Sequence, residues 1–241
     1  MIYRSEKTHK ILDKLIRLIY PKHCPICDKI IPIQHEYCKC SWHESRKVSN
    51  DHCRHCGQNA DNCVCDVKNN VYLPDITAPY FYEGRIRADI LNLKFNNDKY
   101  LAVKLGTYMA ERVADVYADI DFDIVTFVPM SERSENIRTY NQSELLANRV
   151  AKLLFLPVED VFVKTRETKT QHTLNAFERR KNLANSVTII DNTSVCGKTV
   201  LLCDDIKTTG STLNQCVIAL QRAGAKRICC VCAAITDFHA K

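Results

Sequence analysis

The chain lacks any long apolar run. None of its 241 residues falls in a stretch approaching the roughly 20 apolar residues that a bilayer-spanning helix needs, so no membrane span is expected. Residues 1–23 carry charges throughout and have no continuous apolar core, so no secretory signal is expected either. A cytoplasmic location follows as an expectation, and with it reduced thiols. There is no internal repeat and no low-complexity tract, which excludes solenoid and collagen-like architectures. The triplet Gly197-Lys198-Thr199 has no glycine five residues before Gly197 and precedes its strand, which excludes a Walker A loop. Strong charge of one sign is also missing. The formal charge of +6 permits a phosphate or nucleic-acid partner without demanding one.

Cysteine is abundant, with 14 residues. Six lie from Cys196 to Cys232, mostly in apolar text such as Ile228-Cys229-Cys230-Val231-Cys232, and read as small buried hydrophobes. The other eight form pairs: Cys24 with Cys27, Cys38 with Cys40, Cys53 with Cys56, and Cys63 with Cys65. A CxxC pair brings two thiolates to one ion, and two pairs complete a tetrahedral site. Four pairs thus predict structural zinc, with room for two ions. Sequential, nested and interleaved pairings all remain open. His23, His35, His43, His52 and His55 lie in the same segment, and any could replace a cysteine. Gly57, directly after the third pair, suits a tight turn. So short and polar a segment needs a metal to fold.

Before this segment, Ile11, Leu15, Leu18 and Ile19 share one face of a helix that Pro21 ends. Beyond about residue 70 the text turns α/β. Strands are predicted over 75–82, 124–128, 160–163, 187–190, 200–203 and 227–234. Helices are predicted over 84–95, 100–117, 141–154, 177–183 and 213–223. Apolar strands alternating with helices predict a parallel sheet, with ligands beyond the carboxyl ends of its strands. The expected division is a zinc module over 1–70 and an α/β domain over 71–241.

The most informative run is Val200-Leu201-Leu202-Cys203-Asp204-Asp205-Ile206-Lys207-Thr208-Thr209-Gly210-Ser211-Thr212. An apolar strand meets two acids, then a hydroxyl-rich turn, then a helix. Backbone N–H groups of such a turn favour an anion, and the four hydroxyls add donors. Gly210 lets the main chain approach a phosphate. Two carboxylates before the turn suit a vicinal diol such as that of ribose. The run resembles the phosphoribosyl-pyrophosphate (PRPP) loop of type I phosphoribosyltransferases.

Further blocks follow in a fixed order. They are Phe81-Tyr82-Glu83-Gly84, Leu93-Lys94-Phe95, Val128-Pro129-Met130-Ser131-Glu132-Arg133, Tyr140-Asn141-Gln142-Ser143-Glu144-Leu145-Leu146-Ala147, Lys164-Thr165-Arg166, Gln171-His172 and Glu178-Arg179-Arg180-Lys181-Asn182-Leu183. With the zinc segment ahead of them, the chain resembles the ComF family of bacterial competence from about Leu12 to Ala234. Two departures stand out. Arg138-Thr139-Tyr140-Asn141-Gln142 replaces an Arg-Gly-Phe-Asn-Gln pattern, and the second and fourth cysteine pairs are CxC where the family has CxxC.

The resemblance implies a parallel-sheet, type I phosphoribosyltransferase-like (Rossmann-like) fold behind a zinc ribbon. It implies that Asp204 and Asp205 grip ribose, that Lys207 to Thr212 hold the 5′-phosphate, and that Met130, Ser131, Glu132 and Arg133 occupy the pyrophosphate position. Arg166, Lys169, Gln171 and His172 fall where a loop closes over the site. Of these, Asp204, Asp205, Arg133 and Arg166 are the candidate catalytic groups. Asn141 and Gln142 are candidate ligand contacts, with helix capping as the competing reading. Arg179, Arg180 and Lys181 are candidate nucleic-acid contacts, or a solvated helix face. Mg²⁺ would accompany PRPP, and single-stranded DNA and a competence helicase are the implied partners. No segment clearly supplies nucleobase recognition, so the resemblance leaves open whether transfer is catalysed in nucleotide metabolism.

Overall fold

The computed structural model describes residues 30–32, 45–63, 65, 74–96, 98–130, 139–164 and 187–238. The expected helices over 7–20 and 177–183 lie outside them.

A parallel sheet forms the centre. Its strands are β1 (Ile76–Thr77), β2 (Tyr80–Phe81), β3 (Ile124–Phe127), β6 (Thr199–Lys207) and β7 (Arg227–Ile235). Spatial order is β1-β7-β6-β3, and β2 also pairs with β7, further along. The expected single strand over 75–82 is therefore one edge strand broken in two. Pro79 lies at the break. It has no N–H to give to a ladder, while its carbonyl accepts from Val48 N at 3.1 Å.

Among the described residues, four helices cover the sheet: α1 (Gly84–Phe95), α2 (Tyr100–Val116), α3 (Gln142–Leu154) and α4 (Ser211–Arg222). Each buries residues three and four apart, such as Ile86, Ile90 and Leu93 in α1, and Leu213, Cys216, Val217 and Leu220 in α4. α1, α2 and α3 pack with Val125, Phe127, Leu201, Cys203, Cys229 and Val231 on one sheet face. α4 packs with Ile124, Val200, Leu202, Cys230 and Cys232 on the other. The adjacent parallel strands β3 and β6 thus send their following helices to opposite faces. Their carboxyl ends open a crevice where α/β sheets hold ligands.

Two differences from the sequence reading follow. Strands β4 (Phe162–Lys164) and β5 (Val187–Ile189) do not extend the parallel sheet. They pair antiparallel in a sheet of their own, Lys164 opposite Val187. The free edge of β3 is met instead by residues 157–159, through Val125 N to Pro157 O and Glu159 N to Val125 O, both 2.9 Å. Of the second cysteine group, Cys203, Cys216, Cys229, Cys230 and Cys232 are buried as expected, but Cys196 is exposed. It sits in the turn ahead of β6 and not in a strand.

Candidate functional site

Two sites stand at the carboxyl end of the sheet. The first is a metal centre. Cys53, Cys56, Cys63 and Cys65 bring their Sγ atoms within 4.8 Å of one another. Cys53–Cys65 and Cys56–Cys63 are each 3.7 Å apart. Tetrahedral zinc with Zn–S of about 2.3 Å separates its sulfurs by about 3.8 Å, so the four thiols fit that ion. A tight turn builds the site, with Gly57 N on Cys53 O and Cys53 N on Gln58 O, both 2.8 Å. Gly57 takes φ +77°, the left-handed region glycine tolerates. A short 3₁₀ turn over Ala60–Asn62 then returns the chain to Cys63.

The third and fourth cysteine pairs therefore share one centre, as the sequential pairing requires. Cys24, Cys27, Cys38 and Cys40 lie outside the described residues, as do His23, His35 and His43. His52 is not part of the cluster. Its Nδ1 lies 3.0 Å from Asn50 O and 3.1 Å from an Arg112 nitrogen. Charge explains why the cluster calls for a cation. Burial pushes the Cys56 thiol up to about 11 and raises Cys65 as well. At Cys53 burial is outweighed by the backbone N–H groups of His55 and Cys56 and by neighbouring thiols, which bring it down to about 7. Four thiolates need a positive ion among them.

The second site lies at the β3–β6 crevice. β6 runs four residues beyond the expected end at Cys203, because Asp204, Ile206 and Lys207 keep register with Cys232, Ala234 and Ile235 of β7. Asp204 is buried, and its Oδ1 accepts from Ser143 Oγ and from Asp205 N, both at 2.8 Å. Burial first, and then the charge of Asp205, raise its carboxyl to about 7. Asp205 pairs with Lys94 Nζ at 2.7 Å. Thr208, Thr209, Ser211 and Thr212 are exposed around the buried Gly210, which has φ +79° and caps α4. Thr209 Oγ1 sits 2.9 Å from Ser211 Oγ. The turn thus presents hydroxyls to solvent beside two acids, and within it Ser211 N donates to Thr209 Oγ1 at 3.3 Å.

Other expected residues take different places. The Lys207 side chain is buried and its Nζ lies 4.8 Å from the Phe238 ring centre. It is not among the exposed donors of the turn. Asn141 caps α3, accepting from Ser143 N at 3.0 Å and donating from Nδ2 to Val128 O at 3.1 Å. It ties the end of β3 to the residue that holds Asp204. Gln142 is buried and donates to Tyr140 O at 3.2 Å. Met130 follows β3, half-buried. Ser131, Glu132, Arg133, Arg166, Lys169, Gln171, His172, Arg179, Arg180 and Lys181 lie outside the described residues.

Ser143 and Lys94 were not expected at the site. Both stand inside blocks that carry the family resemblance, and that was their only signal in sequence. A separate cavity of about 310 Å³ between Lys47–Asn50 and Tyr108–Asp115 shares no residue with either site.

Two domain models match the chain. A phosphoribosyl transferase domain model matches residues 141–239, and a double zinc ribbon domain model matches residues 15–71. The latter, with the four-cysteine cluster, supports structural zinc. The chain is 28% identical over 198 residues to Competence protein F of Haemophilus influenzae, covering 78% of this chain and 86% of that protein. It is 34% identical over 113 residues to the DNA utilization protein YhgH of Escherichia coli K12, covering 46% of this chain and about half (49%) of the relative. Among solved structures, the glutamine phosphoribosylpyrophosphate amidotransferase of B. subtilis aligns with a TM-score of 0.39 and 24% identity, over 55% of this chain and 26% of that one. A double zinc ribbon model and a phosphoribosyl transferase model in one chain, together with similarity to competence and DNA utilization proteins, support its assignment to the ComF family.

Proposed function

We propose that residues 204–212 bind a phosphoribosyl ligand, PRPP or a nucleotide phosphate, and that the protein handles incoming single-stranded DNA in the cytoplasm during natural transformation. One observation carries the first half. An acid pair stands at the carboxyl end of a parallel strand, followed directly by a turn of exposed hydroxyls that leads into a helix N-terminus. Asp204 and Asp205 would accept from the ribose hydroxyls. Thr208 to Thr212 would donate to the 5′-phosphate. Met130 to Arg133 would face the pyrophosphate, with Arg166 and Gln171 closing over it. Mg²⁺, when bound with PRPP, would neutralise charge on the leaving pyrophosphate.

The second half rests on the similarity to proteins named for competence and DNA utilization. The zinc module, taken as residues 1–70 ahead of a domain over 71–241, would engage nucleic acid or a helicase. Arg179, Arg180 and Lys181 would contact phosphates, giving binding that weakens with salt. Catalysed transfer in nucleotide metabolism is the alternative reading.

Deleting the gene tests both. Transformation should fall sharply while purine and pyrimidine prototrophy persists. A deletion strain that transforms normally but requires a nucleobase would overturn the competence reading and promote the metabolic enzyme.

A further inference from the structure

We propose that the cavity of about 310 Å³ between residues 47–50 and α2 is a nucleobase pocket, suited to guanine on a free nucleoside or in a single DNA strand. The proposal stands apart from the phosphosugar reading, because the cavity shares no residue with the turn or the acid pair.

Size limits the guest first. Small-molecule sites start at about 300 Å³, so this one suits a single planar ring system and little more. Its walls come from two parts of the chain that are joined by hydrogen bonds. Lys47 pairs antiparallel with Tyr80, with Val48 N on Pro79 O at 3.1 Å and Phe81 N on Arg46 O at 2.9 Å. Arg112, buried on α2, ties the other side. It donates from Nη1 to Asn50 Oδ1 at 2.5 Å, from Nη2 to Ser49 O at 2.6 Å, and from Nε to Thr77 Oγ1 at 2.8 Å. The pocket is therefore formed before a guest arrives, which lowers the cost of binding one.

The lining then selects the chemistry. His52 Nδ1 lies 3.1 Å from Arg112 Nη2, and the other partners of this guanidinium are neutral oxygens. Among the described residues no carboxylate lies within ion-pair distance of it. A guanidinium has five N–H donors, so one on Nη1 is left for a guest. A buried cation with neutral partners favours a further acceptor. Lys47, Glu111 and Asp115 are exposed at the rim, one more cation and two carboxylates. With Arg112 their formal charges cancel. That disfavours a bare phosphate and favours a neutral group with acceptors on one edge and donors on another. Tyr80 and Tyr108 add an aromatic wall, their rings edge to face with centres 5.4 Å apart. Aromatic side chains hold bases by stacking. Guanine meets all of these conditions. Its O6 and N7 accept from Arg or Lys. Its N1–H and amino group donate to a carboxylate, and both kinds of bond are charge-assisted. Thymine has no amino group to offer.

The test uses the whole zinc-loaded protein and two probes. One is 2′-deoxyguanosine, which has no phosphate for the turn, in equilibrium dialysis. The other is a short oligothymidylate with one central guanine, in fluorescence anisotropy. Thymidine and the all-thymine strand are the controls. Guanine should be preferred by about tenfold in at least one probe. Preference for the nucleoside assigns the pocket to free ligands, and preference in the strand alone assigns it to DNA. Lys47→Met, and separately the Glu111→Ala, Asp115→Ala double variant, change exposed side chains and should keep the wild-type circular dichroism. Each should lower guanine affinity about tenfold, with binding of PRPP and Mg²⁺ by calorimetry unchanged. No preference for guanine in either probe overturns the proposal. A preference that survives both variants overturns it too, because the base would then sit elsewhere. A preference lost together with PRPP binding places the base in the phosphosugar crevice and also overturns it. A wild type that binds no PRPP but prefers guanine overturns the phosphosugar reading and supports the pocket.

Discussion

The four-cysteine centre and the hydroxyl turn are both short loops at the same end of one sheet, and they are built in opposite senses. In the centre, four thiols converge, with sulfurs 3.7 Å apart in two pairs, near the edge of a zinc tetrahedron. In the turn, Thr208, Thr209, Ser211 and Thr212 are exposed to solvent, with Thr209 Oγ1 2.9 Å from Ser211 Oγ. The acids beside them are kept apart by separate partners, Ser143 for Asp204 and Lys94 for Asp205. A site whose donors converge contributes to folding as soon as its ion binds. A site whose donors face outward leaves its energy for a ligand. Damage to the first should therefore appear as lost structure, and damage to the second as lost binding with the fold intact.

The largest expected effect follows from breaking the centre. Cys56→Ser should lose one zinc equivalent by metal analysis and expose residues 45–63 to proteolysis before the sheet. Zinc in small modules is worth about 10 kcal/mol or more.

Next comes pH. Asp204 has its carboxyl raised from 3.8 to about 7 by burial and by Asp205. Between those values the folded chain holds a proton that the unfolded chain gives up. Stability from this group is therefore present below about pH 4 and falls as pH rises, by up to about 1.4 kcal/mol per pH unit, until about pH 7. Asp204→Asn keeps an oxygen to accept from Ser143 and removes the titration. Its melting temperature should exceed that of the wild type at pH 8, and the gap should narrow at pH 5. A gap independent of pH would mean that the acid titrates in its ordinary range.

Smaller still is the seam between the sites. Gly57→Ala introduces a side chain at φ +77° and a Cβ 2.2 Å from Ile235 Cδ1. The strain and the clash together should cost about 2 kcal/mol, read as a lower denaturant midpoint. An unchanged midpoint would mean that the seam yields freely.

Helix text was well read from sequence because its period was strong. The expected helix over 84–95 matches α1 residue for residue, and that over 100–117 ends one residue later than α2. The end of β6 was misread. Acids are poor strand formers, and register with β7 overrides that preference. The direction of Lys207 could not be counted out from Leu201, because alternation slips near the acids. Cys203 and Ile206, three residues apart, pack on one sheet face, as do the neighbours Ala233 and Ala234. Strict alternation would put Lys207 on the face of Leu201 and Cys203. The slip registers it instead with Ile235, which packs on the other face. The acid pair and the hydroxyl turn were legible because their chemistry is local. Ser143 and Lys94 were not, because they reach the acids from helices 61 and 111 residues away in the chain.

The most direct test of the account is calorimetric titration of PRPP with Mg²⁺ into the zinc-loaded wild type and into the Asp204→Asn, Asp205→Asn double variant. The account predicts saturable binding by the wild type, and a loss of at least about tenfold in affinity, about 1.4 kcal/mol, in a variant that keeps its zinc and its circular dichroism. Equal affinity in the two proteins would contradict it.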